Sequence, residues 1–316
     1  MAERILITGG SGYLARGLGQ HFKANGHEVL LASRSQAPLI EAANQTGCRI
    51  KPLDVSSSSS VEDVFCDFRP AVVIHAAASK HVSLAETEPL ECIDINIRGS
   101  QNIARAAIKH ECKTVIGVSS DKAAAPVMTT YGMSKALMER CFVTLNGTGK
   151  TQFSLVRLGN LTWSSGSVFT LWRNMVLHGK VIDSTGPNMK RFFMSLPEAI
   201  AIIGNCLNEI DNLGGRIFVP SLKAAQISDI LDIWVKRFGG QWQGSAPRKG
   251  DMIDQWLFGA PELPHTQQYR LASSNGFIID FSSYASKPVK EELSTVNAQR
   301  FTDQEINNLI AYPPSG

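Results

Sequence analysis

The chain has 316 residues, 43% hydrophobic and 19% charged, with a net charge of +3. That is ordinary globular usage, with enough chain for a sizeable core in one large domain or two unequal lobes. Its basic residues are scattered without a Lys/Arg run, which excludes a nucleic-acid footprint and leaves any positive field to a local pocket for an anionic ligand.

Taken in order, "MAERILITGG" enters a strand at once, which reads as leaving no room for a signal peptide. "YLARGLGQHFKANG" is a helix ending at Gly26, "HEVLLAS" a strand, and "CRIKPLDV" the strand after the next helix. "SVEDVFCDF" is a helix with Ser60 as its cap, and "AVVIHAAA" a buried strand. "NIRGSQNIARAAIKHE", "CKTVIGVSS", "YGMSKALMERCFVTL" and "TQFSLVRLGN" continue the alternation as helix, strand, helix and strand. This predicts an α/β fold, a Rossmann-type doubly wound parallel sheet with its ligand crevice at the carboxyl ends of the strands.

After about Asn160 the alternation breaks down, although "LPEAIAIIGNCLNEI" is a helix and "GRIFVPS" a strand. The expectation is an NADP-binding Rossmann domain over 1–163 and a smaller C-terminal substrate-binding lobe over 164–316, interleaved with the last sheet elements. No apolar run reaches the roughly 18 residues a membrane span needs. Six cysteines (Cys48, Cys66, Cys92, Cys112, Cys141, Cys206) show no Cys-x-x-Cys spacing and no paired histidines. They read as mostly buried free thiols in a reducing, cytoplasmic setting, with no metal.

"ITGGSGYLARG" places Gly9-x-x-Gly12-x-x-Ala15 between a strand and a helix. Glycine is needed where the chain turns tightly and where backbone approaches a pyrophosphate held at a helix N-terminus. The second strand ends in Ser33 and Arg34, without the carboxylate that binds a ribose 2′-hydroxyl, and a guanidinium suits a 2′-phosphate. NADP is therefore favoured over NAD. Asp54 ends the third strand, where it can accept from an adenine amine. Ala76, Ala77 and Ala78 end the fourth and let a cofactor lie against backbone; His75 before them reads as a core histidine. The cofactor-binding set is Thr8, Gly9, Ser11, Gly12, Tyr13, Leu14, Ser33, Arg34, Asp54, Val55, Ala76, Ala77, Ala78, Lys80, Asn96, Tyr131 and Lys135.

Tyr131 and Lys135 are four apart in a helical run, so both project from one face. A nearby ammonium is expected to lower the tyrosine's pKa from about 10 towards neutrality, making it a base for a substrate hydroxyl. Asp121 and Lys122 lie ten and nine residues upstream of Tyr131.

Together, "HAAASKHVSLAETEPLECIDINIRGSQN", "SSDKAAAPVMTTYGMSKALMER", "VRLGN", "GSV" and "MKRFFMS" resemble the extended short-chain dehydrogenase/reductase family over nearly the whole chain. Within it the chain is similar to the nucleotide-sugar 4,6-dehydratases of polysaccharide biosynthesis, in particular the inverting UDP-N-acetylglucosamine group. The resemblance implies that Tyr131 and Lys135 serve oxidation at C4, and that Asp121 and Lys122 carry out a β-elimination. Lys122 takes the C5 proton, protonated Asp121 helps the C6 hydroxyl leave as water, and no net redox change results. It also implies substrate contacts from Lys80, Ser120, Lys122, Asn160, Ser167, Val168, Arg191, Arg248 and Asp251, with arginine suited to a diphosphate. Ala15 departs from the usual third glycine, and Asp251 stands where a glutamate is common. A nucleotide-sugar epimerase, a 5,6-dehydratase on the same scaffold and a non-catalytic NADP-binding regulator remain alternatives. The resemblance further implies a homo-oligomer.

Overall fold

The computed structural model describes residues 2–248 and 250–311. The first part runs β1 (Arg4–Thr8), α1 (Tyr13–Ala24), β2 (Glu28–Ser33), α2 (Gln36–Thr46), β3 (Arg49–Pro52), α3 (Ser58–Phe68), β4 (Val72–His75), α4 (Val82–Thr87) and α5 (Pro89–Ile93). A π-helical turn at Asp94–Arg98 leads into α6 (Gly99–Lys109) and β5 (Thr114–Ser120). The 3-10 turn Asp121–Ala123 then precedes α7 (Thr130–Leu145), β6 (Gln152–Leu158), β7 (Asn160–Leu161) and α8 (Val168–Leu177). Next come β8 (Ile182–Thr185), β9 (Lys190–Met194), α9 (Leu196–Asn208), α10 (Ile210–Leu213), β10 (Ile217–Pro220), β11 (Ala224–Gln226) and α11 (Ile227–Phe238). The last part holds β12 (Trp242–Ser245), β13 (Trp256–Phe258), a 3-10 helix at Ala260–His265, β14 (Thr266–Leu271), β15 (Ser274–Ile279), β16 (Leu293–Ser294) and α12 (Asp303–Ile310).

Nine strands form the main sheet in the order β14-β15-β10-β6-β5-β4-β1-β2-β3. It is parallel from β10 to β3, with β15 antiparallel to both β10 and β14. Strand side chains alternate between the two faces, so an apolar run in a strand covered by helices on both sides feeds two cores. Leu6, Val73 and Val115 meet Phe65, Ile103 and Phe142 of α3, α6 and α7. Ile5, Ile7, Ile74 and Ile116 meet Leu18, Leu39 and Ile203 of α1, α2 and α9. The doubly wound sheet predicted from the alternation is present.

A third core gathers Trp163, Phe169, Trp172 and Trp234 with Ile230 and Leu231 of α11. The ring centroids of Trp163 and Trp234 are 5.6 Å apart, and those of Phe169 and Trp234 are 5.8 Å apart. These separations suit offset and edge-to-face aromatic packing.

Two local readings need correction. Ser57, not Ser60, caps α3: its hydroxyl accepts from the Ser60 amide at 3.3 Å, while the Ser60 hydroxyl accepts from the Asp54 amide. The stretch that reads as irregular beyond β10 contains the β14–β15 hairpin. Its buried Leu271, Ile278 and Ile279 share the two strands with Gln267, Gln268, Arg270 and Asn275, which dilute the period-two signal.

Candidate active site

The site lies where the sheet order reverses, with β1 paired to β2 on one side and to β4 on the other, the place where open α/β sheets hold ligands. Gly9 leaves β1 at φ +69°, and a Cβ there would sit 2.9 Å from the Ala77 amide nitrogen. At Gly10 a Cβ would sit 2.5 Å from the Ala32 nitrogen, so the chain crosses the ends of β2 and β4 with no room for a side chain. Gly12, at the N-cap, offers no side-chain bond to the first-turn amides of α1, which stay available to an anion. These features fit a dinucleotide's phosphates. Thr8 and His75 brace the turn from below. Thr8 Oγ1 lies 2.8 Å from His75 Nδ1 and accepts from the Ala77 amide, and burial holds the imidazole far down, at about 3.

A cleft of ≈ 490 Å³ runs from this turn across the sheet. Of the residues singled out from the sequence it is lined by Gly9, Gly12, Tyr13 and Leu14, then Ala76, Ala78 and Lys80. Beyond them come Ser120, Lys122, Tyr131 and Lys135, and finally Asn160, Ser167, Val168, Arg191, Arg248 and Asp251.

Others lie outside its wall. Ser33 Oγ is buried without a partner among the described residues, and exposed Arg34 reaches Glu91 at 3.4 Å. Asp54 Oδ1 accepts from the amide and hydroxyl of Ser56, and Val55 packs where a side chain on Gly99 would stand. Asn96 accepts from the Ser79 amide at 2.7 Å and donates to Ser134 on α7 at 2.9 Å, tying the end of β4 to the tyrosine helix.

Asp121 and Lys122 form the 3-10 turn directly after β5. Lys122 Nζ is 2.9 Å from Asp121 Oδ1 and donates to Asn160 Oδ1, also at 2.9 Å. Asp121 is 2% exposed; its Oδ1 also accepts from the Ser120 hydroxyl, while its Oδ2 has no partner among the described residues. Burial lowers the Lys122 pKa, Asp121 opposes that shift, and Arg191 reinforces it. The Arg191 guanidinium is held by the carbonyls of Lys190 and Met252, each at 2.8 Å, and Lys80 Nζ donates to the Ser165 carbonyl at 2.6 Å.

Tyr131 and Lys135 share a face of α7, but their electrostatics differ from the sequence expectation. Burial raises the Tyr131 pKa, Asp121 raises it further, and a hydrogen bond with Ser120 only partly offsets them. The Lys135 ammonium does not engage the phenol here; it donates to Met138 Sδ at 3.5 Å. Its own pKa is lowered to about 8 by burial, against a pull from Glu139.

Sequence reasoning missed a charged network beneath the site. Arg157 of β6, 1% exposed, grips Glu139 with Nε at 2.8 Å and Nη2 at 2.7 Å, and Glu262 with Nη2 at 2.6 Å. Nothing local marks these residues as buried: "MERC" on a helix looks like a solvated stretch. Among the described residues one trio of metal-ligating types comes together, Glu62, Cys66 and His110, on the surface of α3 and the end of α6. There the Lys109 ammonium occupies the carboxylate at 2.6 Å.

Residues 5–252 match the family described as "Polysaccharide biosynthesis protein". A UDP-N-acetylglucosamine 4,6-dehydratase (inverting) from Campylobacter jejuni is 32% identical over 72% of this chain and 70% of its own length. A UDP-glucose 4-epimerase from Rickettsia bellii is 35% identical over 98% of this chain and 95% of its own. The X-ray structure of Pen from Bacillus thuringiensis superposes with a TM-score of 0.89 at 24% identity, covering 98% of this chain and 97% of that one. By the span of the family match and by these identities, the chain belongs to the polysaccharide biosynthesis protein family.

Proposed function

We infer that the protein is a nucleotide-sugar 4,6-dehydratase, NADP-dependent and inverting, acting on a substrate like UDP-N-acetylglucosamine. The observation that carries this is the Asp121–Lys122 pair, joined at 2.9 Å, with Lys122 on the cleft wall shared by Tyr131. The Campylobacter relative's activity supports it.

A bound nicotinamide supplies the acceptor for the C4 hydrogen and later its return to C6. Tyr131 accepts the C4 hydroxyl proton as the ketone forms, which requires the Lys135 ammonium to leave Met138 for the phenol. The ketone acidifies the C5 hydrogen, and neutral Lys122 takes it. Asp121 gives its proton to the C6 hydroxyl, the C6–O bond breaks, and water departs as the C5–C6 double bond forms. C5 is then reprotonated on the opposite face by a solvent-exchanged proton carried on Lys122, Asp121 regains its proton from solvent, and both groups return to their starting states as the 4-keto-6-deoxy sugar forms. Asn160 orients the Lys122 amine, and Arg191 and Arg248 receive the diphosphate.

Arg34, free in solution at the end of β2 apart from Glu91, supports NADP over NAD. On this reading residues 1–163 hold the cofactor and 164–316 the nucleotide, in the cytoplasm. Leu90 and Ile93 on α5, with Met133 and Leu137 on the neighbouring α7, are exposed and offer an apolar face to a second copy of the chain. No helix among the described residues is long and apolar enough to cross a membrane.

A second reading, sugar 4-epimerisation, is favoured by the identity to the Rickettsia protein. NMR of the purified protein with UDP-N-acetylglucosamine in deuterated water separates them. A 4-keto-6-deoxy product with deuterium at C5 is the expected result. A C4 epimer without loss of water selects the epimerase, an exocyclic C5–C6 alkene selects 5,6-elimination, and no turnover with NADP supplied overturns the reading for this sugar.

A further inference from the structure

We propose that Glu139 is a positioning residue whose carboxylate both seats the Tyr131–Lys135 helix against the Asp121–Lys122 turn and supplies the buried negative charge that Lys135 faces one helical turn away. The role assigned to the pairs rests on the dehydratase reading; the seat itself is geometric.

Tyr131, Lys135 and Glu139 recur every four residues on α7 and so lie along one face, turned towards β5 and β6. Glu139 is 1% exposed and accepts from the Ser119 hydroxyl at 2.6 Å, one residue before Ser120 and two before Asp121. Ser119 and Arg157 are cross-strand neighbours on β5 and β6, and Arg157 grips the same carboxylate with two nitrogens.

The far side of the guanidinium holds Glu262, which also accepts from the Gly259 amide at 3.0 Å and the Ala125 amide at 3.3 Å. Ala125 ends the segment that begins with Asp121 and Lys122. The chain on both sides of the turn is therefore anchored to one Glu–Arg–Glu unit, and α7 is anchored to it through Glu139. That unit carries two carboxylates against one guanidinium. Buried charge of this kind is retained only when matched, and the nearest buried cation without a carboxylate contact is Lys135, one helical turn away. The Glu139 charge correspondingly holds the Lys135 ammonium up against the effect of burial.

Glu139→Gln keeps the shape and, with its oxygen in the Oε1 place, the Ser119 and Arg157 Nε bonds; it deletes the charge and the bond from Arg157 Nη2. In the holoenzyme we expect kcat to fall about fivefold at pH 8 and about tenfold well above it, with KM changing less than about twofold. The alkaline limb of the pH profile should move down by about one unit, since one unit is a tenfold change in protonation. An equal loss at every pH with the limb in place would make Glu139 a packing residue and overturn the proposal.

A second readout needs no substrate. The stability difference between Glu139-intact protein and its Lys135→Met variant, followed by urea unfolding, should start to change near pH 8. In the Glu139→Gln background the same change should start at lower pH; an unmoved onset overturns the proposal. If the wild type converts no nucleotide sugar while this onset still moves, the dehydratase reading fails and the seat stands. Should Glu139→Gln not fold, Glu139→Asp retains the charge on a shorter stem. It should lower kcat with the limb unmoved, and a moved limb would overturn the proposal.

Discussion

The Lys122 amine and the Asp121 carboxylate stand 2.9 Å apart on consecutive residues of a single 3-10 turn, with Asn160 holding the amine from the other side at the same distance. A base and an acid so close can act on adjacent carbons of one ligand. Lys122→Ala and Asp121→Asn should each slow elimination about 10²- to 10⁴-fold, the usual worth of a placed acid or base. Oxidation at C4, which depends on Tyr131, should survive. The near-ultraviolet absorbance of reduced nicotinamide should then accumulate in a single turnover; its absence would remove the pair from the elimination step.

Lys135 governs the expected pH dependence. Its pKa is lowered to about 8, chiefly by burial, so the ammonium is present below that pH and lost above it. Initial rates should fall as pH rises through about 8. The linked stability effect has the opposite sense. Below about 8 both folded and unfolded states carry the charge and its burial cost is full. Between about 8 and the ordinary 10.5 only the unfolded state keeps the proton, so stability rises with pH there. Urea midpoints across that range, with Lys135→Met as reference, measure it.

Arg34→Ala tests the choice of cofactor. A guanidinium bond to a 2′-phosphate is charge-assisted and worth roughly 1.5–3 kcal/mol. NADP affinity should drop by about ten- to a hundredfold with NAD affinity unchanged, as read by fluorescence titration. Equal loss of both, or of neither, would assign the 2′-position to another residue.

Gly9→Ala puts a methyl 2.9 Å from the Ala77 nitrogen at a φ of +69°. Both the contact and the left-handed backbone, which costs roughly 1–2 kcal/mol for an L-residue, act on the phosphate turn. The variant should emerge from gel filtration with little dinucleotide and a lower Tm; full cofactor occupancy would mean that the turn has slack.

Trp234 is 1% exposed and meets Trp163, Phe169, Trp172 and Phe238. Trp234→Ala should cost about 3–5 kcal/mol, visible as an earlier thermal transition. A variant within about 1 kcal/mol of wild type would show that the lobe can collapse around the missing ring.

The strands and helices of the main sheet were legible because each carries its own signal: a short apolar run, a glycine turn, a helical period. So were Gly9, Tyr131, Lys135, Asp121 and Lys122, whose spacings reflect one turn or one helix face. Arg157, Glu139 and Glu262 were not, since the residues that bury them come from four distant segments and polar letters on a helix usually mean solvent. The Tyr131–Lys135 relation was half legible. Helical spacing places the two on one face, but whether the ammonium meets the phenol or Met138 is decided by rotamer, which spacing does not encode. The β14–β15 hairpin was hidden because both of its faces pack apolar residues, Phe277 and Ile279 on one and Leu271 and Ile278 on the other, with Gln, Arg and Asn interspersed.

Arg157 and Glu262 are separated by 105 residues. During synthesis β6 leaves the ribosome long before Glu262, which fills the far side of its guanidinium, and β10 emerges well ahead of β15, which covers its edge. A chain halted in that interval displays a strand ready to pair and a guanidinium whose far-side hydrogen bonds are unmade. The chain up to and including β10 is therefore no independent module. Expressed alone it should aggregate, and the protein should acquire its active geometry only after Glu262 and β15 have emerged.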